Sequence, residues 1–331
     1  MPLAPGLPLL SMMTTTTTPT GRPGLRLQPR DLAILAAADQ HRFLRSDHVR
    51  ALLFPEVSLR VAQVRLQRLF RHGYLKRLYV PFILDGEHAP PLHSGQPIYR
   101  ITKRGLRLLS ERADALATKE PARASVMTLE HHLVVTDVLV ALAVACRSGG
   151  SLELAESRHE GVFLAQLRAY RQSARIANAI VPDGGFRLRH PLTGTTETFY
   201  LEVVRADVKG GNGRLIHKLR RYVELHRAGF FRAAFGTTDL RAVLFLTTSE
   251  VRARHLHAVA LKLAHGRRLF WFGAYQEDSI CGRKQSLIAA KHILSRPWLT
   301  PDKASQSLDS ACNAVAAEPK LHASRCCIDC Y

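Results

Sequence analysis

Three residues in the middle of the chain have side chains that could do chemistry together. They are Asp183 in Val181-Pro182-Asp183-Gly184-Gly185, Glu202 in Tyr200-Leu201-Glu202-Val203-Val204, and Lys218 some way downstream. Asp183 interrupts one apolar run and Glu202 ends the next β-type segment. The span between them contains a turn and has ordinary hairpin length. Antiparallel pairing would therefore bring both carboxylates to one end of a sheet. Two such oxygens, with the backbone carbonyl of Val203, make a candidate Mg²⁺ site. A metal held there would activate a water and steady a phosphodiester under attack. In that reading Asp183 and Glu202 are the metal ligands and, with Lys218, the catalytic set. Plainer roles fit the same residues. Asp183 can be a turn residue before two glycines, and Glu202 an edge carboxylate paired with Arg205 or Arg220. Strand alternation places residue 204 on the face of Glu202. Val204 stands there, and an aliphatic side chain can neither orient a water nor move a proton. That work would fall to Lys218, or less directly to Lys209, and the balance leans towards a domain that does not cleave.

A second constellation lies near the start. Ser58 to Gly73 has helical periodicity, with Ala62, Leu66, Leu69 and Phe70 on one face. The opposite face carries Arg60, Val64, Gln67, Arg68 and Arg71. Ser58 is placed to cap the helix and Gly73 to stop it. Arg and Gln read guanine and adenine edges bidentately, and Val64 could meet a thymine methyl. Lys76 and Arg77, just past the helix, can reach phosphates. A basic helix face alone could equally be a solvated face.

The elements around this helix favour the first reading. Asp31 to Asp39 and Phe43 to Phe54 read as two preceding helices. Leu75 to Leu84 and Pro97 to Thr102 read as two β-segments, with a turn rich in Gly, Pro and His between Asp85 and Gly95. A short helix opens at Thr102. Helix, helix, helix, hairpin, helix is the order of a winged helix-turn-helix. Downstream, helices are expected at Leu129 to Arg147, Asn212 to Arg227 and Val251 to His265. Strands are expected at Ser151 to Glu156, Asn178 to Arg189, Glu197 to Val204, Arg241 to Thr248 and Arg268 to Gly273. The fold class is α+β. The expected division is a disordered leader at 1–27, the winged domain at 28–118, a linker at 119–128, an α/β domain at 129–300 and a flexible tail at 301–331.

The charge sets the class of partner. Lys and Arg total 47 against 27 Asp and Glu, a formal net charge of +20. Such a chain favours a polyanion, with double-stranded DNA the first choice and an anionic membrane surface the second. No apolar run is expected to approach the roughly 18 residues that span a bilayer; the longest, Leu133 to Ala145, carries Thr136 and Asp137 and has helical periodicity. No membrane partner is expected. The Pro-broken start lacks the basic flank of a signal peptide. Of six cysteines, Cys146, Cys281, Cys312, Cys326, Cys327 and Cys330, four crowd into the last twenty residues and cannot staple the body. A reducing, cytoplasmic setting fits. His322 with Cys326, Cys327 and Cys330 matches no familiar metal spacing and reads as incidental tail. His131 and His132 could be ligands or a base, and fit better as histidines at the edge of a core.

Several stretches resemble known families. Leu69-Phe-Arg-His-Gly-Tyr-Leu-Lys-Arg77 and Tyr99-Arg-Ile-Thr-Lys-Arg-Gly-Leu-Arg107 are similar to the helix exit and strand-to-helix close of MarR-like and PadR-like winged domains. Pro182-Asp183 followed by Glu202 resembles the PD-(D/E)xK restriction-endonuclease core, in which a lysine would stand at 204. The whole resembles the replication-relaxation family over roughly residues 28 to 275. The features that carry this are Glu130-His-His-Leu-Val-Val-Thr-Asp137, Pro182-Asp183, Phe199-Tyr-Leu-Glu202, Lys218-Leu-Arg-Arg-Tyr222 and Ala242-Val-Leu-Phe-Leu-Thr-Thr-Ser-Glu-Val-Arg252. That resemblance implies an acidic residue at 204, from which Val204 departs. It also implies a bacterial DNA-binding protein of plasmid or mobile-element replication or DNA relaxation, with a degenerate nuclease-like domain. A Mg²⁺-dependent endonuclease or nickase is the enzymatic alternative. A MarR-like repressor, acting as a homodimer on a palindromic site, is the third.

Overall fold

A computed structural model describes residues 25–79, 97–110, 126–149, 151–173, 176, 178–204, 211–263, 265–275, 293–301 and 305–309. The chain is mixed α and β, with two separate sheets. It divides into two compact units, one running to Thr136 and the other starting at Asp137.

In the first unit, α1 (Pro29–His41) is followed by β1 (Leu44–Arg45), α2 (Ser46–Leu53), α3 (Leu59–Arg71), β2 (Leu75–Leu78), β3 (Ile98–Ile101) and α4 (Lys103–Ser110). The strands form an antiparallel sheet in the order β1-β3-β2. Pro29 starts α1 because its missing N–H is not needed in a first turn. The run expected as one helix from Phe43 instead opens with β1, because Leu44 and Arg45 pair with Tyr99 and Ile98. Ile34, Leu35, Leu44, Val49, Ala62, Leu66, Leu69, Leu75 and Tyr99 form the core. Arg65 is also buried on α3, 3.1 Å from Asp31 of α1, so an ion pair ties the two helices together. Thr102 joins β3 to α4: its hydroxyl donates to the Gly73 carbonyl at 2.7 Å and accepts from the Gly105 amide at 3.2 Å. The expected turn at Asp85 to Gly95 lies outside the described residues, as do residues 1–24 of the leader, Lys209, Arg205 and every cysteine except Cys146. The last residues of the expected leader are not disordered: Leu25 and Leu27 pack against this core.

The helix α5 (Val126–Gly149) crosses the division between the units. Its first turn occupies the last residues of the expected linker. From Leu129 to Gly149 it is long and apolar enough to cross a membrane. This corrects the expectation that no run approaches that length, since Thr136 and Asp137 lower the mean hydropathy too little. Leu129, Leu133, Val134, Val138 and Leu142 are nonetheless buried in the protein.

The second unit continues with β4 (Glu153–His159), α6 (Glu160–Ser173), β5 (Gly184–Arg189), β6 (Thr196–Val204), α7 (Gly211–Arg227), α8 (Phe230–Phe235), β7 (Leu240–Thr247), α9 (Glu250–Leu261) and β8 (Phe270–Ala274). The sheet runs β4-β5-β6-β7-β8. Its first three strands are antiparallel; β6, β7 and β8 are parallel. Parallel neighbours need a crossover, which α7 with α8, and then α9, provide. Tyr200, Val243, Phe245, Phe270 and Phe272 face a core filled by α6, α7, α8 and α9. Two elements were not expected, α6 and α8. The span expected as a strand from Asn178 becomes one only at Gly184, and Ile180 and Val181 pack against the core instead. The expected tail is not flexible throughout: Gln306 bridges to Trp298, and Leu308 is buried.

Candidate functional site

The basic face of α3 forms one wall of an open cleft of about 490 Å³. Arg60, Gln63, Val64, Gln67, Arg68, Arg71, Arg77, Pro97 and Tyr99 line it, and none of them is acidic. Arg60, Val64, Arg68 and Arg71 are exposed, while Gln67 is half-buried. Ala62, Leu66 and Leu69, on the opposite face, are fully buried. The wheel reading therefore assigned the faces as the structure has them. Ser58 is the N-cap of α3 by position, but its side chain makes no capping hydrogen bond. Lys76 is half-buried on β2. Arg77 is turned inward, with its guanidinium 4.4 Å over the Phe70 ring and Nη1 donating to Gln67 Oε1 at 2.9 Å. That ten-residue contact has no signature in helical periodicity.

In the second unit Asp183 and Glu202 do come together. Gly184 pairs with Leu201 across β5 and β6, which sets Asp183 beside the end of β6. Asp183 Oδ2 accepts from the Val203 amide at 2.8 Å. Gly184 and Gly185 are strand residues rather than a turn. A Cβ on Gly185 would lie 2.9 Å from the Phe163 ring of α6, so a glycine lets helix and sheet close. β6 is the central strand and Glu202 is fully buried, so it is not an edge carboxylate. Its partners are on α7: Lys218 Nζ donates to Oε2 at 2.5 Å, and the Tyr222 hydroxyl donates to Oε1. Arg220 is not among them. Lys218 and Tyr222 lie one helical turn apart, which brings both to the same carboxylate. Burial pushes the Glu202 carboxyl up to about 7, although Lys218 pulls the other way. Burial also works against the charge on Lys218, but Glu202 and Asp183 outweigh it and hold the amine above the ordinary lysine range. Tyr222 is held far above the usual phenol value by burial and by Glu202.

Residues 35–240 match the replication-relaxation family, well over half of the 331-residue chain. The chain belongs to that family. No curated protein and no solved structure is similar enough to count as a match.

In this replication-relaxation protein the carboxylates do not fit a Mg²⁺ site. Mg²⁺ needs near-octahedral oxygen donors that are free to face it. Both Glu202 oxygens are occupied by the Lys218 and Tyr222 donors, and one Asp183 oxygen is on a backbone amide. A cation would also meet the Lys218 ammonium. Among the described residues no group of three or more His, Cys, Asp or Glu side chains is arranged to hold a metal. Val204 packs against the core beside Glu202, as alternation predicts. His132 is buried, stacked on Phe43 at 5.5 Å, with its Nε2 3.2 Å from Arg42. The geometry thus gives it a packing role.

Proposed function

We propose that this replication-relaxation protein binds double-stranded DNA through a winged helix-turn-helix in its first unit, in the service of plasmid or mobile-element replication or relaxation. The single observation that carries this reading is the α3 surface. Three exposed arginines and two glutamines share one cleft that, among the described residues, no carboxylate lines. The helix order and the β1-β3-β2 sheet around α3 support a winged unit, with α3 as the helix for the major groove. A net charge of +20 supports a polyanionic partner.

We read the second unit as a restriction-endonuclease-like fold that has no hydrolytic role. A central strand carrying Glu202, an Asp183 beside it and a lysine on the next helix support the likeness. The Lys218–Glu202–Tyr222 contacts turn those groups inward, where they pin α7 to the sheet.

Two measurements on the full chain test this. Duplex binding should weaken steeply as salt rises, since each phosphate contact releases counterions; an affinity flat in salt would remove the electrostatic footing. Supercoiled plasmid incubated with the protein and Mg²⁺ should remain supercoiled. Nicking that disappears in Asp183→Ala and Glu202→Ala would make the second unit an endonuclease and overturn the non-hydrolytic reading.

A further inference from the structure

Gln67 lies midway along the exposed face of α3, and its amide cannot turn freely. Arg77 Nη1 donates to its oxygen at 2.9 Å. A guanidinium has donors and no acceptor, so the oxygen is the atom that must face it. The flipped amide would set NH₂ against N–H. Arg77 is itself clamped: its guanidinium lies 4.4 Å over Phe70 and 5.3 Å over Tyr79. With its oxygen taken, Gln67 presents Nε2 to a partner, and that nitrogen has no hydrogen bond among the described residues.

An unrestrained glutamine reads adenine with both ends of its amide, accepting from N6 and donating to N7. A glutamine whose oxygen is turned onto a guanidinium keeps a second lone pair there, but the end that it presents outward is the donating one. The base edge that offers two acceptors in the major groove is guanine, through N7 and O6. We infer that Gln67, held by Arg77, selects guanine over adenine at the base it meets, which makes Arg77 a positioning residue for sequence specificity. The inference rests on the proposed docking of α3 in the major groove.

The test is selection of preferred sites by the full chain from a randomised duplex pool, read by sequencing, for wild type, Gln67→Ala and Arg77→Met. Methionine keeps an apolar stem over Phe70 but has no donor. Gln67→Ala changes a half-exposed position and identifies the base pair concerned as the one whose preference it removes. Wild type is expected to show guanine there. Arg77→Met should reduce the guanine-to-adenine ratio at that position by about tenfold, within the range of one good base contact, and leave the other positions unchanged. A purely structural role for Arg77 would instead weaken all positions together. Adenine at the Gln67 position, no preference there, or a guanine preference that survives Arg77→Met each overturns the inference while leaving DNA binding in place. If Arg77→Met does not fold, the base found with Gln67→Ala still decides between guanine and adenine. A wild-type chain that binds no duplex would instead bring down the proposed function itself.

Discussion

Replacing Lys218 by Met should destabilise the second unit in a way that depends on pH, and the sign follows from the burial of Glu202. In the folded protein the Glu202 carboxyl is raised to about 7 from an ordinary 4.5, chiefly by burial. The folded state therefore holds this proton more tightly than the unfolded chain. The contribution of this group to stability is fully present below its ordinary value and falls as pH rises through the window up to about 7. Lys218 is the main attraction opposing that rise. Without it the carboxyl shifts higher still, and the window extends upward. At about pH 6 both wild type and variant hold the proton when folded, so the loss is that of a hydrogen bond, about 1 kcal/mol. Above 7 the wild type ionises at no further cost, whereas the variant must stay protonated. The difference then grows by up to about 1.4 kcal/mol per pH unit. By about pH 9 the extra loss reaches up to about 2.7 kcal/mol. The comparison variant is Glu202→Gln, which cannot ionise. It should lack the wild-type decline between about pH 5 and about pH 7. Urea unfolding of the three proteins across this range, followed by circular dichroism, reads both effects. A Lys218→Met penalty that stays constant from pH 6 to about 9, or a Glu202→Gln variant with the wild-type slope, would refute the reasoning.

Further outcomes follow from the first unit. Gly105→Ala should destabilise by about 1–3 kcal/mol, because the added Cβ would sit 2.6 Å from the Tyr74 carbonyl oxygen and 2.7 Å from Ile101 Cγ1. The midpoint of urea unfolding measures it, and an unchanged midpoint would show that α4 can shift outward. Arg65→Met strands the buried Asp31 carboxylate, whose Arg65 partner lies 3.1 Å away, and should cost about 3–5 kcal/mol. Adding Asp31→Asn should recover much of that loss, and a double variant no more stable than Arg65→Met alone would mean that the pair is not coupled.

How much of this was visible in the sequence varies with the range of the interaction that decides it. The faces of α3 could be read because Ala62, Leu66 and Leu69 recur at helical spacing. The approach of Asp183 to Glu202 was legible because a hairpin fixes its own register. Within α6, Phe163, Leu167 and Tyr170 keep a helical period that could have revealed it, but Gly161 and the short distance from β4 obscured the start. α8 has six residues between glycines of positive φ, too few to establish a period. The partners of Glu202 were hidden because Lys218 and Tyr222 reach it only after α7 folds back over β6. Arg77 on Gln67, and the bridges of Leu299 to Phe272 and of Trp298 to Gln306, are likewise products of tertiary packing.

The most direct measurement is the affinity of the full chain for a selected duplex, by fluorescence anisotropy at fixed salt, for wild type, Arg60→Ala and Arg71→Ala. If the α3 surface is the DNA-reading face, each substitution should weaken binding by about 1–3 kcal/mol. Wild-type affinity in both variants, with folding intact, would show that DNA is not held by this helix.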